Sequence, residues 1–291
     1  MDTFPLLRLP QVVLREALRT LNPIELFLLS NTSKKTSALV AIATINRVVI
    51  SLNLSHRFEE IALNKQFRIE VLNEEARGEY PFVRMFRIMD NVFGFYSPGN
   101  GNKLRIFLST GLLSAAYHIS ESFKCPINRL SSSDRIPSAR IRDTLQNLQG
   151  IQRIPLKKLK LNSSLFRMQD LEWILKNVKV TEKLSILVET PGGWELPEFP
   201  TECEKIVVNP SGWITVFNLL SFKTCSIIEL DQSTLSNSEI DHFLRRWQEG
   251  DLPKLEYLEI RRRLTLDYFD PIFEFTGPQL KRTRYQERTK R

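Results

Sequence analysis

Few side chains in this 291-residue sequence have the types and spacing that do chemistry. The three histidines, His56, His118 and His242, have no cysteine beside them and no carboxylate at ligand spacing beyond local acids such as Asp241, so no metal site is predicted. Cys125, Cys203 and Cys225 are scattered and odd in number, and no Cys-x-x-Cys occurs. That argues against a disulfide framework and a zinc site; all three read as small buried hydrophobes in a reducing compartment. Lys124 adjoins Cys125, without the wider basic pattern that marks a catalytic thiol. Gly99 and Gly101 lie in a glycine-rich stretch, but no Gly-x-Gly-x-x-Gly, P-loop lysine or Gly-x-Ser-x-Gly elbow follows. The expectation is a protein that binds rather than reacts, with no catalytic residue, metal or cofactor. Trp194, in the Pro191-Gly192-Gly193-Trp194 loop, is a candidate binding anchor, since tryptophan is enriched at hot spots. The alternative is that it caps a core edge. Trp173 and Trp247 sit in helical apolar patterns and read as core.

Hydrophobic content of 42% and charged content of 25% are those of a globular protein. No signal peptide is visible, and the most apolar stretch, 38–54, is interrupted by Asn46-Arg47. A soluble protein of the cytoplasm, with access to the nucleus, is expected. The net charge of +8 is concentrated: residues 281–291 hold six basic side chains and Glu287, hence five of the eight charges. A mildly basic body with a basic tail at 279–291 is a weak footprint for nucleic acid and fits a solvated end.

These residues have to be positioned by two kinds of element. The first is helical. Pro10 suits a helix start, and Val13, Leu14, Ala17, Leu18 and Leu21 fall on one face. Asn22, Pro23 and Glu25 predict a capping box; Ile24, Phe27 and Leu28 follow at helical spacing. Ser33 caps a third helix through Ala38, Leu39 and Ile42. So small a unit has too little interior for these aliphatics, so the surplus meets the rest of the chain or a partner. Leu9-Pro10, Val13, Leu14, Ala17, Leu18, Leu21, Ile24, Leu26, Leu29 and Ser33-Lys34 resemble the F-box family without a gap. Thr36 stands where many members have Trp, giving a smaller side chain at the adaptor contact. The resemblance implies that these residues dock on a Skp-type adaptor and, through it, a cullin-RING ubiquitin ligase.

The second kind is a strand. Arg47–Leu54, Phe67–Leu72, 82–89 and the 92–108 hairpin read as strands, while 55–66 reads as polar helix or loop. Leu112–Phe123 and Ala139–Leu148 read as helices. From Lys158 a unit x-apolar-x-apolar-x recurs, with first apolar residues Leu159, Leu184, Ile206, Ile228 and Leu258. The steps are 25, 22, 22 and 30 residues, in the leucine-rich-repeat range of about 20–29. Helices at Met168–Val178, Gly212–Phe222 and Ser236–Glu249 separate most units; Pro-rich 189–204 does not form one. Alternation of this kind predicts parallel strands with helices on one side. Phe243–Gly250, Leu255–Leu258, Trp213-Ile214 and Leu235-Ser236-Asn237 resemble the F-box-associated type 2 domain, across about 50–265.

The reading is therefore a small all-α F-box of three helices (1–45), then an α/β leucine-rich-repeat-like domain with strand–helix repeats and a parallel sheet (46–278), then the tail. The pairing implies a non-catalytic substrate receptor that binds an unknown target protein and no membrane. A nucleic-acid-binding or scaffold repeat protein without ligase coupling is the alternative. Strand alternation puts the residues between the apolar pairs on the open face, and they are the target-binding candidates: Lys158, Lys160, Lys183, Lys205, Glu229, Tyr257 and Glu259, with Trp194 beside them.

Overall fold

The computed structural model describes residues 9–44, 47–55, 59–72, 84–88, 91–96, 102–107, 111–197, 199 and 201–262, with the backbone alone at 84–88, 91–96 and 107. His56, the 97–101 turn and the tail at 279–291 lie outside them. The chain divides into two compact units, 1–131 with 147–154, and 132–146 with 155–291.

In the first unit α1 (Gln11–Thr20), α2 (Pro23–Ser30) and α3 (Lys34–Thr44) follow one another through two tight corners. The corner at Asn22 is fixed as its sequence predicts. Asn22 Oδ1 accepts from the Ile24 and Glu25 amides, and the Asn22 amide donates back to Glu25 Oε2 at 2.8 Å. Ser33 caps α3, with Thr36 in the reciprocal place: the Thr36 amide donates to Ser33 Oγ and the Ser33 amide to Thr36 Oγ1. The helices then dock on α4 (Gly111–Phe123). Thr44 Oγ1 donates to the Phe123 carbonyl at 3.1 Å, and His118 Nε2 meets Asn31 Oδ1 at 2.8 Å. Thus α1–α3 belong to the same packed unit as residues 50–131, whereas the sequence reading set them apart at residue 45.

The sheet of this unit has the order β7 (Ile127–Ser132), β1 (Ile50–Leu54), β2 (Glu59–Leu63), β3 (Phe67–Leu72), β6 (Lys103–Phe107), β5 (Asn91–Tyr96), β4 (Arg84–Ile88). Short connections make β1–β2, β2–β3, β4–β5 and β5–β6 antiparallel; β3 and β6 run parallel. The strand–helix repeat predicted from residue 46 is thus not the pattern of 50–107. Strand β2 corrects the helix or loop expected at 55–66. Its acids disguise it, and Glu60 is partnered across the sheet, accepting from Asn53 and pairing with Arg68 at 3.6 Å; on β3 beside it the buried Glu70 pairs with Lys103 and, at 2.7 Å, with Arg105. Ile50, Leu52, Ile61, Leu63, Ile69, Leu104 and Ile106 are buried, as are Ala116, Ile119 and Phe123 of α4.

The second unit alternates strand and helix. Strands β8 (Leu156–Asn162), β9 (Val180–Leu187), β10 (Lys205–Val208), β11 (Ile227–Ser233) and β12 (Tyr257–Arg262) lie in that order, and every pair is parallel. Helices α6 (Met168–Asn177), α7 (Val216–Ser221) and α8 (Asn237–Gln248) connect β8 to β9, β10 to β11 and β11 to β12; α5 (Ser138–Ile151) precedes β8. The Thr215 capping box with Asn218 starts α7 later than the Gly212 expected, and Ser236 with Glu239 caps α8. Between β9 and β10 the described residues hold no helix. A turn closed by the Trp194 amide on the Pro191 carbonyl, with Gly193 at φ +76, brings Leu196 and Phe199 inward to fill the layer that a helix would occupy. Leu159, Leu161, Leu184, Ile186, Ile206, Val208, Ile228 and Leu230 are buried as alternation requires. Leu258 and Ile260, read as core, are only half-buried, because β12 has one strand partner among the described residues.

Candidate functional site

Two surfaces carry the candidate residues. On the N-terminal helices, burial sorts them. Leu14, Leu18, Ile24 and Leu26 are buried within this chain, so they build the unit instead of being presented by it. Leu9, Ala17, Leu21 and Leu29 are half-buried; Pro10, Val13, Ser33 and Lys34 are exposed. Val12 was missed, although it is 75% exposed; Val13 is 49% exposed and Ile42 52%. The signal was available: Val12 is an aliphatic lying off the stripe that Leu14 and Leu18 define. Thr36, read as a smaller side chain at the adaptor contact, is buried and bonded to Ser33 and Thr32. It is part of the helix cap.

On the sheet of the second unit the register brings together the rows expected. Lys158 faces Lys183, Lys183 faces Lys205, Lys205 faces Ile227, and Ile227 faces Tyr257. The next row runs Lys160, Ser185, Val207, Glu229, Glu259. The rows gather lysines towards β8 and acids towards β12, but the separation is partial. Lys205 Nζ reaches Glu229 Oε1 at 2.5 Å, and Lys158 Nζ reaches Glu182 Oε2 at 3.3 Å. Burial would raise the Glu182 carboxyl, but hydrogen bonds from Lys157 and Lys158 overcome it and hold the group below its ordinary value. Tyr257 is pushed up by burial and by its hydrogen bond to Glu259 Oε2 at 3.1 Å. No carboxylate among the described residues lies at ion-pair distance from Lys160 or Lys183.

Trp194 is half-buried and sits edge-on to the buried Trp213, with centroids 5.0 Å apart. Trp213 in turn packs on Phe199, and Phe199 on Phe222. The core-edge role is thus occupied, and part of the ring stays open to solvent. Trp173 and Trp247, read as core, are half-buried.

No cluster of metal-ligating side chains occurs among the described residues, and no helix among them is long and apolar enough to cross a membrane. All three cysteines are buried, but Cys203 and Cys225 come together, which the sequence reading did not see. The signal was their common offset, three residues before Ile206 and three before Ile228 in consecutive repeats.

Two known families match parts of the chain. Residues 6–47 match the F-box domain, and residues 197–260 match the F-box associated domain. The chain carries an F-box and an F-box associated domain. The first match spans α1–α3; the second spans β10 to β12 with α7 and α8, a narrower range than the 50–265 expected. A stretch of 79 residues is 30% identical to the Skn-1 dependent zygotic transcript 15 protein of Caenorhabditis elegans. It covers 26% of this chain and 23% of that protein, so the chain spans about a quarter of the relative it matches. No solved structure matches.

Proposed function

We propose that this protein is the substrate-recognition subunit of a Skp–cullin–F-box type ubiquitin ligase, not itself a catalyst. The supporting observation is the pairing of an F-box at one end of the chain with an F-box associated domain towards the other. In this reading the exposed F-box residues around Pro10, Val12 and Val13 meet the adaptor. The open face of the β8–β12 sheet, a leucine-rich-repeat-like array, holds the target protein, and the complex works in the cytoplasm and nucleus. The receptor's contribution is proximity: it tethers the target where ubiquitin is transferred.

The test is co-expression with a Skp-type adaptor and a cullin, followed by affinity capture with and without proteasome inhibition. A one-to-one complex with the adaptor is expected, together with captured proteins that accumulate when the proteasome is blocked. A chain that captures neither adaptor nor cullin is a scaffold without ligase coupling. RNA binding that falls steeply with salt would favour the nucleic-acid reading.

A further inference from the structure

Cys203 and Cys225 occupy the same place in successive repeats, just ahead of β10 and β11. The backbones are already paired there: the Ser226 and Ile227 amides both donate to the Glu204 carbonyl, at 2.7 and 3.1 Å. Adjacent strands lie about 4.8 Å apart, inside the roughly 4.4–6.8 Å Cα separation that a disulfide spans. Both side chains are buried at these neighbouring positions, and each thiol shifts the titration of the other. The Thr201 hydroxyl lies 3.1 Å from the Cys203 sulfur, within hydrogen-bond reach. Both residues are fully buried, but a pocket lined by Leu159, Val180, Leu184, Thr201 and Glu202 reaches Thr201, whose hydroxyl lies beside this sulfur. A hydroxyl and a second thiol beside one sulfur are groups that can stabilise a thiolate, and the thiolate is the form that reacts.

We propose that Cys203 and Cys225 form an oxidisable dithiol, in which Cys203 is the attacking thiol and Cys225 the resolving one, and that a peroxide converts the pair to a disulfide. The Cys203 thiolate attacks one peroxide oxygen, the O–O bond breaks, and hydroxide leaves, giving a sulfenic acid on Cys203. The Cys225 sulfur then attacks the Cys203 sulfur. The S–S bond forms, the sulfenic oxygen leaves as hydroxide, and the Cys225 proton makes it water. Overall the two thiols lose two electrons and two protons, and the peroxide becomes two waters. A small thiol reverses the reaction by exchange. The hydrogen bonds from Cys225 above all, then from Thr201 and the Leu184 amide, bring the Cys203 thiol down to about 7 against the opposing effect of burial. The same hydrogen bond, together with burial, pushes the Cys225 thiol up, so it keeps its proton until the second step.

The full-length chain is treated with hydrogen peroxide and digested without reductant for mass spectrometry. Cys125 is the internal control: it is buried, with its thiol turned to the Thr44 and Phe123 carbonyls. The expected product is the Cys203–Cys225 cross-linked peptide, appearing about tenfold faster than any oxidation of Cys125. In Cys225→Ser, which keeps a hydroxyl donor, dimedone labels Cys203. In Cys203→Ser it does not label Cys225. Three results overturn the proposal: Cys203 and Cys225 still reduced once Cys125 is oxidised, no dimedone on Cys203 in Cys225→Ser, or dimedone on Cys225 in Cys203→Ser.

Discussion

Replacing Val12 and Val13 together with alanine should weaken adaptor binding about 30-fold without touching stability. The magnitude follows from exposure. Each Val→Ala change removes about two methylene-sized groups, worth about 0.8 kcal/mol apiece when taken fully out of water. Val12 is 75% exposed and Val13 49%, so an adaptor covering both buries about 1.2 and about 0.8 kcal/mol of removable surface. Together that is about 2 kcal/mol, and about 1.4 kcal/mol is tenfold in affinity. Leu14→Ala is the counterpart. Leu14 is 5% exposed, so truncating it opens a cavity inside the unit and costs about 2–5 kcal/mol of folding stability. The affinity of the molecules that remain folded should barely move. Calorimetric titration of each full-length variant with a Skp-type adaptor gives Kd, and thermal denaturation gives Tm. A double valine variant that binds at full strength refutes the assignment of the exposed side. A Leu14→Ala variant that keeps its Tm but loses the adaptor refutes the burial argument.

Three further outcomes are expected. Thr36→Trp, which installs the residue common in the F-box family, should lower Tm rather than tighten adaptor binding: the site is buried, overpacking costs about 1–3 kcal/mol, and the cap with Ser33 is lost. Asp170→Ala should cost about 2–3 kcal/mol in urea denaturation, because buried Asp170 accepts from Ser138 Oγ at 2.6 Å and from Arg142 Nη1 at 2.7 Å, with Arg142 itself partly solvated. Burial holds His118 below its ordinary value, so the unfolded chain takes up a proton that the folded chain resists. Stability from this group is complete above pH about 6.5 and falls as pH drops below it. Denaturation midpoints at neutral and mildly acidic pH should therefore diverge more in the wild type than in His118→Gln.

Alternation along a strand is a local property, and it was the most legible feature of the fold. The five x-apolar-x-apolar-x units were enough to give the parallel register of β8 to β12 residue by residue, because a buried row tolerates no slip. The Asn22 and Ser236 caps were legible for the same reason. What escaped depends on partners far along the chain. Strand β2 carries Glu59 and Glu60, poor strand formers, and becomes acceptable only once Asn53 and Arg68 lie across from Glu60. The docking of α3 on α4 joins Thr44 to Phe123 and leaves no periodic trace. Burial of Leu14 and Leu18 was legible as amphipathicity; what they were buried against was not.

The same distinction bears on the sheet face proposed to hold the target. Row membership could be read from spacing, but the character of the rows could not, because Lys205 and Glu229 satisfy each other. A partner that covers an already paired cation and carboxylate meets no unpaired charge there, so it escapes the penalty of stranding one. Around that pair Val207, Ile227 and Tyr257 are half-buried and offer apolar surface. Lys160 is exposed at the β8 side, and Arg261 is exposed beyond β12's Glu259, which it pairs at 2.6 Å. An apolar centre around one compensated ion pair, with Lys183 and Lys160 as the uncompensated cations towards β8 among the described residues, is closer to the anatomy of a protein-binding patch than to a nucleic-acid groove, whose phosphates require longer rows of free cations. Affinity would then come from the Val207–Ile227–Tyr257 centre, and Lys160 would set the on-rate and its salt dependence.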